Sequence, residues 1–257
     1  MKISIFGAGA IGSYIGSLLH KSGADVSLIC RGEHLKAIQS KGLLMQSKEA
    51  NEEYFCKPKA SDDPNDLGKQ DFIIVTLKAH SAALTAENLL PLMDDNTTVL
   101  SAVNGLPWWY FYKSGDKYEN TKLISVDPKN WQWEFIKPHR VLGCVVYPAA
   151  EIKEPGHVLH SEGNRLLIGE PDGSVSDRAR NISKILIKSG FKSPVRKNIR
   201  EDIWMKLWGN LAFNPVSALT SATLEDLVND RDTCTIIREM MQEGEKVANA
   251  LGISFPI

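Results

Sequence analysis

The chain has 257 residues, 43% hydrophobic and 24% charged, an ordinary balance for a globular protein. Its 30 lysines and arginines against 31 aspartates and glutamates exclude the polyelectrolyte character expected of a nucleic-acid or membrane-surface binder. No apolar run reaches the length of a membrane span, and the chain is long enough for two domains, each with its own core.

The opening MKISIF is an alternating strand pattern without a secretory apolar region, and the four cysteines (Cys30, Cys56, Cys144, Cys234) form no C-x-x-C pair. A reducing, cytoplasmic setting is expected. Runs at 3–6, 25–30, 71–77, 98–103 and 141–147 are rich in Val, Ile and Leu, and helical patterns at 11–21 and 79–92 lie among them. This alternation predicts βαβ units and a largely parallel, doubly wound α/β sheet. Runs at 157–160 and 165–169 read as a hairpin added to that sheet. After EPDGSVSD (170–177) the pattern becomes helical, at 177–189, 199–214 and 232–251, broken by a short run at 194–195. The expected organisation is a nucleotide-binding α/β domain over 1–172 and a helical domain over 173–257.

KISIFGAGAIGSYIGSLL places Gly7-x-Gly9-x-x-Gly12 between a strand and an amphipathic helix, the context that makes this spacing informative. Gly7 permits the tight turn, Gly9 lets backbone approach a pyrophosphate, and Gly12 allows close packing of helix on strand. The loop residues Gly7, Ala8, Gly9, Ala10, Ile11 and Gly12 are therefore candidate cofactor contacts, with the helix N-terminus offering free N–H groups to phosphate. The second strand ends at Cys30 and Arg31 follows, with no acid until Glu33. An acid there would suit the ribose hydroxyls of NAD, whereas an arginine matches a 2′-phosphate, so NADPH is the expected cofactor. Two further strands end in Lys78 and in Asn104 followed by Gly105, and ligands of such sheets bind beyond these carboxyl ends.

IWMKLWGNLAFNP (203–215) carries Lys206, Asn210 and Asn214 at i, i+4 and i+8. On a helix they share one face, within a wedge of roughly 80°, while the remainder of the wheel is apolar or small. A helix apolar almost all round is normally buried, so this one is expected to hold an ammonium and two amides in the interior, as a ligand site. His157 and His160 fall on a probable strand and point to opposite faces, and no metal-binding spacing appears, so no metal site is expected. PWWYFY (107–112), with Trp131 and Trp133, reads as aromatics packing an insertion or a subunit contact; a flap over the nicotinamide or substrate is the other reading.

Taken in order, GAGAIG, RG after the second strand, VTLKAH, VNG, YPAAEIKEPGHVLH and KLWGNLAFNP resemble the ketopantoate reductase (2-dehydropantoate 2-reductase) family along the whole chain. The resemblance implies a Rossmann domain followed by a helical domain, and NADPH-dependent reduction of ketopantoate to pantoate on the route to coenzyme A. It places the catalytic lysine at Lys206 and substrate-binding asparagines at Asn210 and Asn214. It also places Lys78 and Asn104 at the nicotinamide and substrate, and a backbone cofactor contact at Ala150. Hydride would reach the ketone carbon while Lys206 donates a proton to the oxygen. The family usually continues several dozen residues further, supplying a serine to substrate and an acid to cofactor, so the helical domain is expected to be cut short here. Two rival readings are a related reductase of another 2-oxo acid and a non-catalytic NADP-binding protein. The expected partners are a small 2-oxo acid and a second copy in a homodimer, with no nucleic acid or membrane.

Overall fold

A computed structural model describes residues 1–255, in a compact unit Met1–Ile199 and a second that begins at Arg200. The first is built on a seven-stranded sheet in the order β11-β8-β7-β6-β1-β2-β5. Its strands are β1 (Lys2–Phe6), β2 (Asp25–Ile29), β5 (Lys59–Ser61), β6 (Phe72–Val75), β7 (Thr98–Ser101), β8 (Val141–Val146) and β11 (Leu166–Gly169). All pairings are parallel except that of β11 with β8. Strands β6, β7 and β8 are buried at every residue, which is why they read as unbroken apolar runs rather than alternating ones.

Helices α1 (Ala10–Lys21) and α2 (Gly32–Lys41) follow β1 and β2, and α3 (Ala79–Leu84) follows β6. The helix expected over 79–92 ends early and gives way to a 3₁₀ segment, Ala86–Leu92, containing Pro91, which lacks the N–H that an α-helix needs.

A second sheet, in the order β4-β3-β10-β9, was not foreseen. It contains β3 (Leu43–Ser47), β4 (Glu52–Cys56), β9 (Ala149–Glu154) and β10 (His157–Glu162). The expected 157–169 hairpin is therefore overturned. β10 pairs with β3 and β9, while β11 returns to β8 in the large sheet. The hairpin that does form is β9–β10, turning at Pro155–Gly156, where Gly156 adopts φ +80°.

The expected domain boundary after 172 also differs from the division into compact units. Helix α4 (Asp177–Lys188) belongs to the first, because Ala179, Ile182 and Leu186 are fully buried in the core that contains Ile3, Leu28 and Ile168.

In the second unit, α5 (Ile199–Thr220) runs on through Pro215, six residues beyond the expected end at Asn214. It is followed by α6 (Leu224–Asn229), opened by a Thr223–Asp226 capping box, and α7 (Arg231–Ala250), capped by Asp230. Ala212, Val216, Leu227 and Ile237 form its core. No helix among the described residues is long and apolar enough to cross a membrane.

Candidate active site

The carboxyl ends of β1, β2, β6 and β7 open onto a cleft of about 1300 Å³ in the first unit. Gly7, Ala8, Gly9, Ala10 and Ile11 line it, together with Arg31, Lys78, Asn104 and Ala150. These residues are scattered over most of the unit's sequence; the parallel sheet delivers all but Ala150 to one edge because every βα turn lies on the same side, and Ala150 comes from β9 of the small sheet.

Three glycines hold the first turn. Gly7 adopts φ +102°, and a Cβ on it would lie 2.5 Å from Leu77 Cδ2, so a side chain there is disfavoured twice over. Gly12 is buried, and a Cβ on it would lie 2.6 Å from the Gly7 carbonyl oxygen and 2.6 Å from Thr76 Oγ1. This contact is what brings α1 hard against β1. A Cβ on Gly9, by contrast, would meet nothing within 4 Å. Gly9 N-caps α1 with no side-chain partner and borders the open cleft, a cradle that backbone N–H groups of a helix start offer to phosphate oxygens. The residues present thus fit a dinucleotide pyrophosphate. Thr76 Oγ1 donates to the Gly7 carbonyl at 2.8 Å and fixes the loop to the end of β6.

Arg31 is exposed at the start of α2 and forms no ion pair among the described residues. Glu33, the nearest acid in sequence, is occupied by Lys36 at 2.7 Å. Asp62 and Asp63 also line this end of the cleft and were missed, because β5 brings them beside β2 from thirty residues further along the chain. The SDDPND run was the available signal. Asp63 accepts from Asn65 N–H at 2.9 Å, which holds its carboxyl below the usual range. Burial, aided by the charge of Asp62, pushes the Cys30 thiol up to about 12, so it stays protonated. Lys78 N-caps α3, and Asn104 precedes Gly105 at φ +95° in the loop after β7.

In the second unit, Lys206, Asn210 and Asn214 lie on α5 as expected, but not in an interior. Lys206 and Asn210 are partly buried and Asn214 is exposed. The apolar residues of α5 extend right round the helix; Ala212 and Val216 enter that unit's core with Leu211 and Phe213 packed against it, and Ile203 and Trp204 are buried, while Met205 is 37% and Leu219 87% exposed. Trp208 donates its indole N–H to the Met241 carbonyl at 2.8 Å, tying α5 to α7.

His160 is buried and fully engaged, with Nδ1 2.9 Å from Ser47 Oγ, Nε2 2.7 Å from the Gly163 carbonyl oxygen and its ring stacked on Tyr14. Among the described residues no group of three or more His, Cys, Asp or Glu is placed to hold a metal. The aromatic cluster is interior packing: Trp108, Trp109, Tyr110 and Phe111 are buried, and Trp133 meets Trp108 edge to face at 6.0 Å. Trp109 lies across β8 at Gly143, where a Cβ would come within 2.7 Å of its ring.

Residues 3–173 match the family model for ketopantoate reductase PanE/ApbA, and residues 198–257 match the model for its C-terminal region. The chain belongs to the ketopantoate reductase family. That family is one of NADP-dependent oxidoreductases acting on a ketone. A 2-dehydropantoate 2-reductase of Mesorhizobium japonicum is 45% identical over 100% of this chain and 78% of its own length. A Ralstonia solanacearum protein, whose crystal structure carries a provisional ketopantoate reductase description, superposes with a TM-score of 0.95. It is 34% identical, over 100% of this chain and 79% of that one. A PanE/ApbA family ketopantoate reductase from Ralstonia eutropha gives a TM-score of 0.81 at 29% identity, over 100% of this chain and 77% of its own. The chain thus has a ketopantoate reductase fold.

Proposed function

We propose that the protein reduces 2-dehydropantoate to pantoate with NADPH, in the synthesis of pantothenate and coenzyme A. The observation that carries this reading is the single cleft edge shared by the glycine loop, Arg31, Lys78, Asn104 and Ala150, in a chain so similar to a 2-dehydropantoate 2-reductase. When bound, the dinucleotide supplies a hydride to the ketone carbon. Gly7 to Ile11 hold its pyrophosphate against the start of α1, and the Ala150 backbone adds a contact from β9. The Arg31 guanidinium offers paired donors to the 2′-phosphate. Lys78 and Asn104 serve the nicotinamide end.

Reduction converts the planar carbonyl to an alcohol, so negative charge grows on oxygen as the carbon accepts hydride. Lys206 stabilises that charge and transfers its proton to the oxygen, completing the C–H and O–H bonds of the product. Asn104, Asn210 and Asn214 orient the substrate's carboxylate and hydroxyl with neutral donors and acceptors. A cytoplasmic setting and a homodimeric assembly belong to the same proposal, supported by four free thiols and by the family likeness.

The test is the loss of NADPH absorbance on adding 2-dehydropantoate, run against NADH and a panel of other 2-oxo acids. Fastest turnover with 2-dehydropantoate and NADPH is expected. Faster turnover of another 2-oxo acid would reassign the substrate, and NADH working as well as NADPH would remove the role of Arg31.

A further inference from the structure

Three motifs far apart in the chain, GAGAIGS, RGEH and EPGH, meet at one histidine. We propose that His34 is a positioning residue that sets the spacing between the two walls of the cofactor cleft, the glycine loop and the β9–β10 hairpin. The proposal rests on the reading of this cleft as a dinucleotide site.

The turn of the hairpin is held closely. Gly156 is at φ +80° against α2, where a Cβ would lie 3.0 Å from Ala37 Cβ and 3.2 Å from the Gly42 carbonyl oxygen. Its carbonyl accepts from Leu44 N–H at 2.8 Å, and its own N–H donates to His34 Nδ1 at 3.0 Å. A ring nitrogen that accepts an N–H carries no proton, so in the neutral imidazole the proton is on Nε2. Nε2 lies 3.0 Å from Ser13 Oγ, which therefore accepts from it. Ser13 Oγ in turn donates to the Ala8 carbonyl at 3.1 Å, inside the glycine loop. The direction of every proton follows from the first bond. Burial lowers the His34 pKa, which keeps the ring in this neutral form.

The chain of bonds thus runs from the hairpin turn, through α2, to the phosphate cradle. At one end the hairpin carries Ala150 and Ile152, which line the cleft from β9. At the other, Ser13 is completely buried and also donates its backbone N–H to the Gly9 carbonyl at 2.8 Å, so it holds two carbonyls of the loop together. No water-exposed alternative exists for the Ser13 hydroxyl. Removing the imidazole leaves the Gly156 N–H without its acceptor and cuts this hydrogen-bonded link between the hairpin turn and the loop, while Leu44 and the pairing of β10 with β3 still hold the hairpin.

The test compares His34→Ala, His34→Gln and Ser13→Ala in the full chain, reading NADPH binding by fluorescence titration beside kcat, KM for each substrate and Tm. His34→Ala is expected to raise the NADPH Kd and KM about tenfold, the scale of one lost buried hydrogen bond, with kcat and the KM for the 2-oxo acid within about twofold. Gln, whose amide offers an acceptor and a donor on one arm and cannot take up a proton, should restore most of the affinity. Ser13→Ala should weaken NADPH binding in the same direction, and the Ser13→Ala, His34→Ala double variant should be scarcely worse than His34→Ala alone, because the two act in one chain. An alanine variant that binds NADPH like the wild type overturns the proposal, as do a glutamine variant no better than alanine and additive losses in the double variant. Should His34→Ala not fold, the glutamine and Ser13→Ala variants decide the matter by the same criteria. A wild-type protein that binds no NADPH would overturn the cofactor reading itself, and this inference with it.

Discussion

The contact between Gly12 and the glycine loop allows stability and cofactor binding to be separated by two single methyl groups. Gly12→Ala puts a Cβ 2.6 Å from the Gly7 carbonyl oxygen, 2.6 Å from Thr76 Oγ1 and 2.9 Å from Ile5 Cγ2. The carbonyl cannot step aside cheaply, since it is backbone and already accepts from Gly9 N–H at 2.7 Å and from Thr76 Oγ1 at 2.8 Å. Overpacking of this kind costs about 1–3 kcal/mol. The rigid obstacle puts Gly12 at the upper end, while alanine's better helix propensity returns about 1 kcal/mol. The net loss is therefore about 2 kcal/mol, which in a unit of this size lowers Tm by about 4–8 °C. Gly9→Ala meets no atom within 4 Å and keeps an ordinary φ of −76°, so its Tm should match the wild type. Its methyl would instead project into the space proposed for the pyrophosphate, and the NADPH Kd should rise at least about tenfold. Differential scanning calorimetry and NADPH titration of both variants make the check. A Gly12→Ala protein melting at or above the wild type, or a Gly9→Ala protein with unaltered NADPH affinity, would refute the reasoning.

Other consequences are open to direct measurement. Arg31→Ala would remove the charge-assisted pair proposed with the 2′-phosphate, so the ratio of kcat/KM for NADPH over NADH should fall about 10- to 100-fold, chiefly through the KM for NADPH. Lys206→Ala should lower kcat about a hundredfold to ten-thousandfold while NADPH affinity is kept; equal losses in both would deny it the proton-donor role. Burial lowers the pKa of His34 from its ordinary 6.5, so below that value the unfolded chain takes up a proton that the folded chain resists. Stability should therefore fall as pH drops below 6.5, and urea unfolding across that range should show a shallower fall for His34→Gln. The slope should lessen without vanishing, because burial and Arg140 depress His139 in the same sense.

The large sheet, apart from the three-residue β5, was legible because its strands are short apolar runs punctuated by glycine and polar turns, a pattern with few other readings. The glycine loop was legible for the same reason: Gly7 makes the tight turn and Gly12 the close helix–strand contact that the spacing implies, and Gly9 borders the cleft. The small sheet was not. Strand β4 has only Cys56 buried, and β9 alternates merely between half-buried and exposed residues, so neither carries the strong apolar signal of a core strand. Once β9 was missed, the pairing of β10 could only be misassigned. The α5 wedge was read correctly as three residues on one helix, but its burial was inferred from apolar content alone. An apolar wheel states what could be covered; α5 does bury Ile203, Trp204, Ala212 and Val216, yet Asn214 and Leu219 are left exposed. Asp62 and Asp63 escaped because sheet order, rather than proximity in the chain, brings them beside Arg31.

The small sheet ends on β4 at one side and β9 at the other. Each of these outer strands leaves a row of backbone groups that another chain could template upon. Glu52 and Glu53 stud the first, and Glu151, Lys153 and Glu154 the second, all of them exposed. Ionised side chains at such borders repel an approaching copy and cannot be dehydrated cheaply. The residues that hid these strands from pattern reading are thus the ones that keep the folded protein from stacking edge to edge into aggregates.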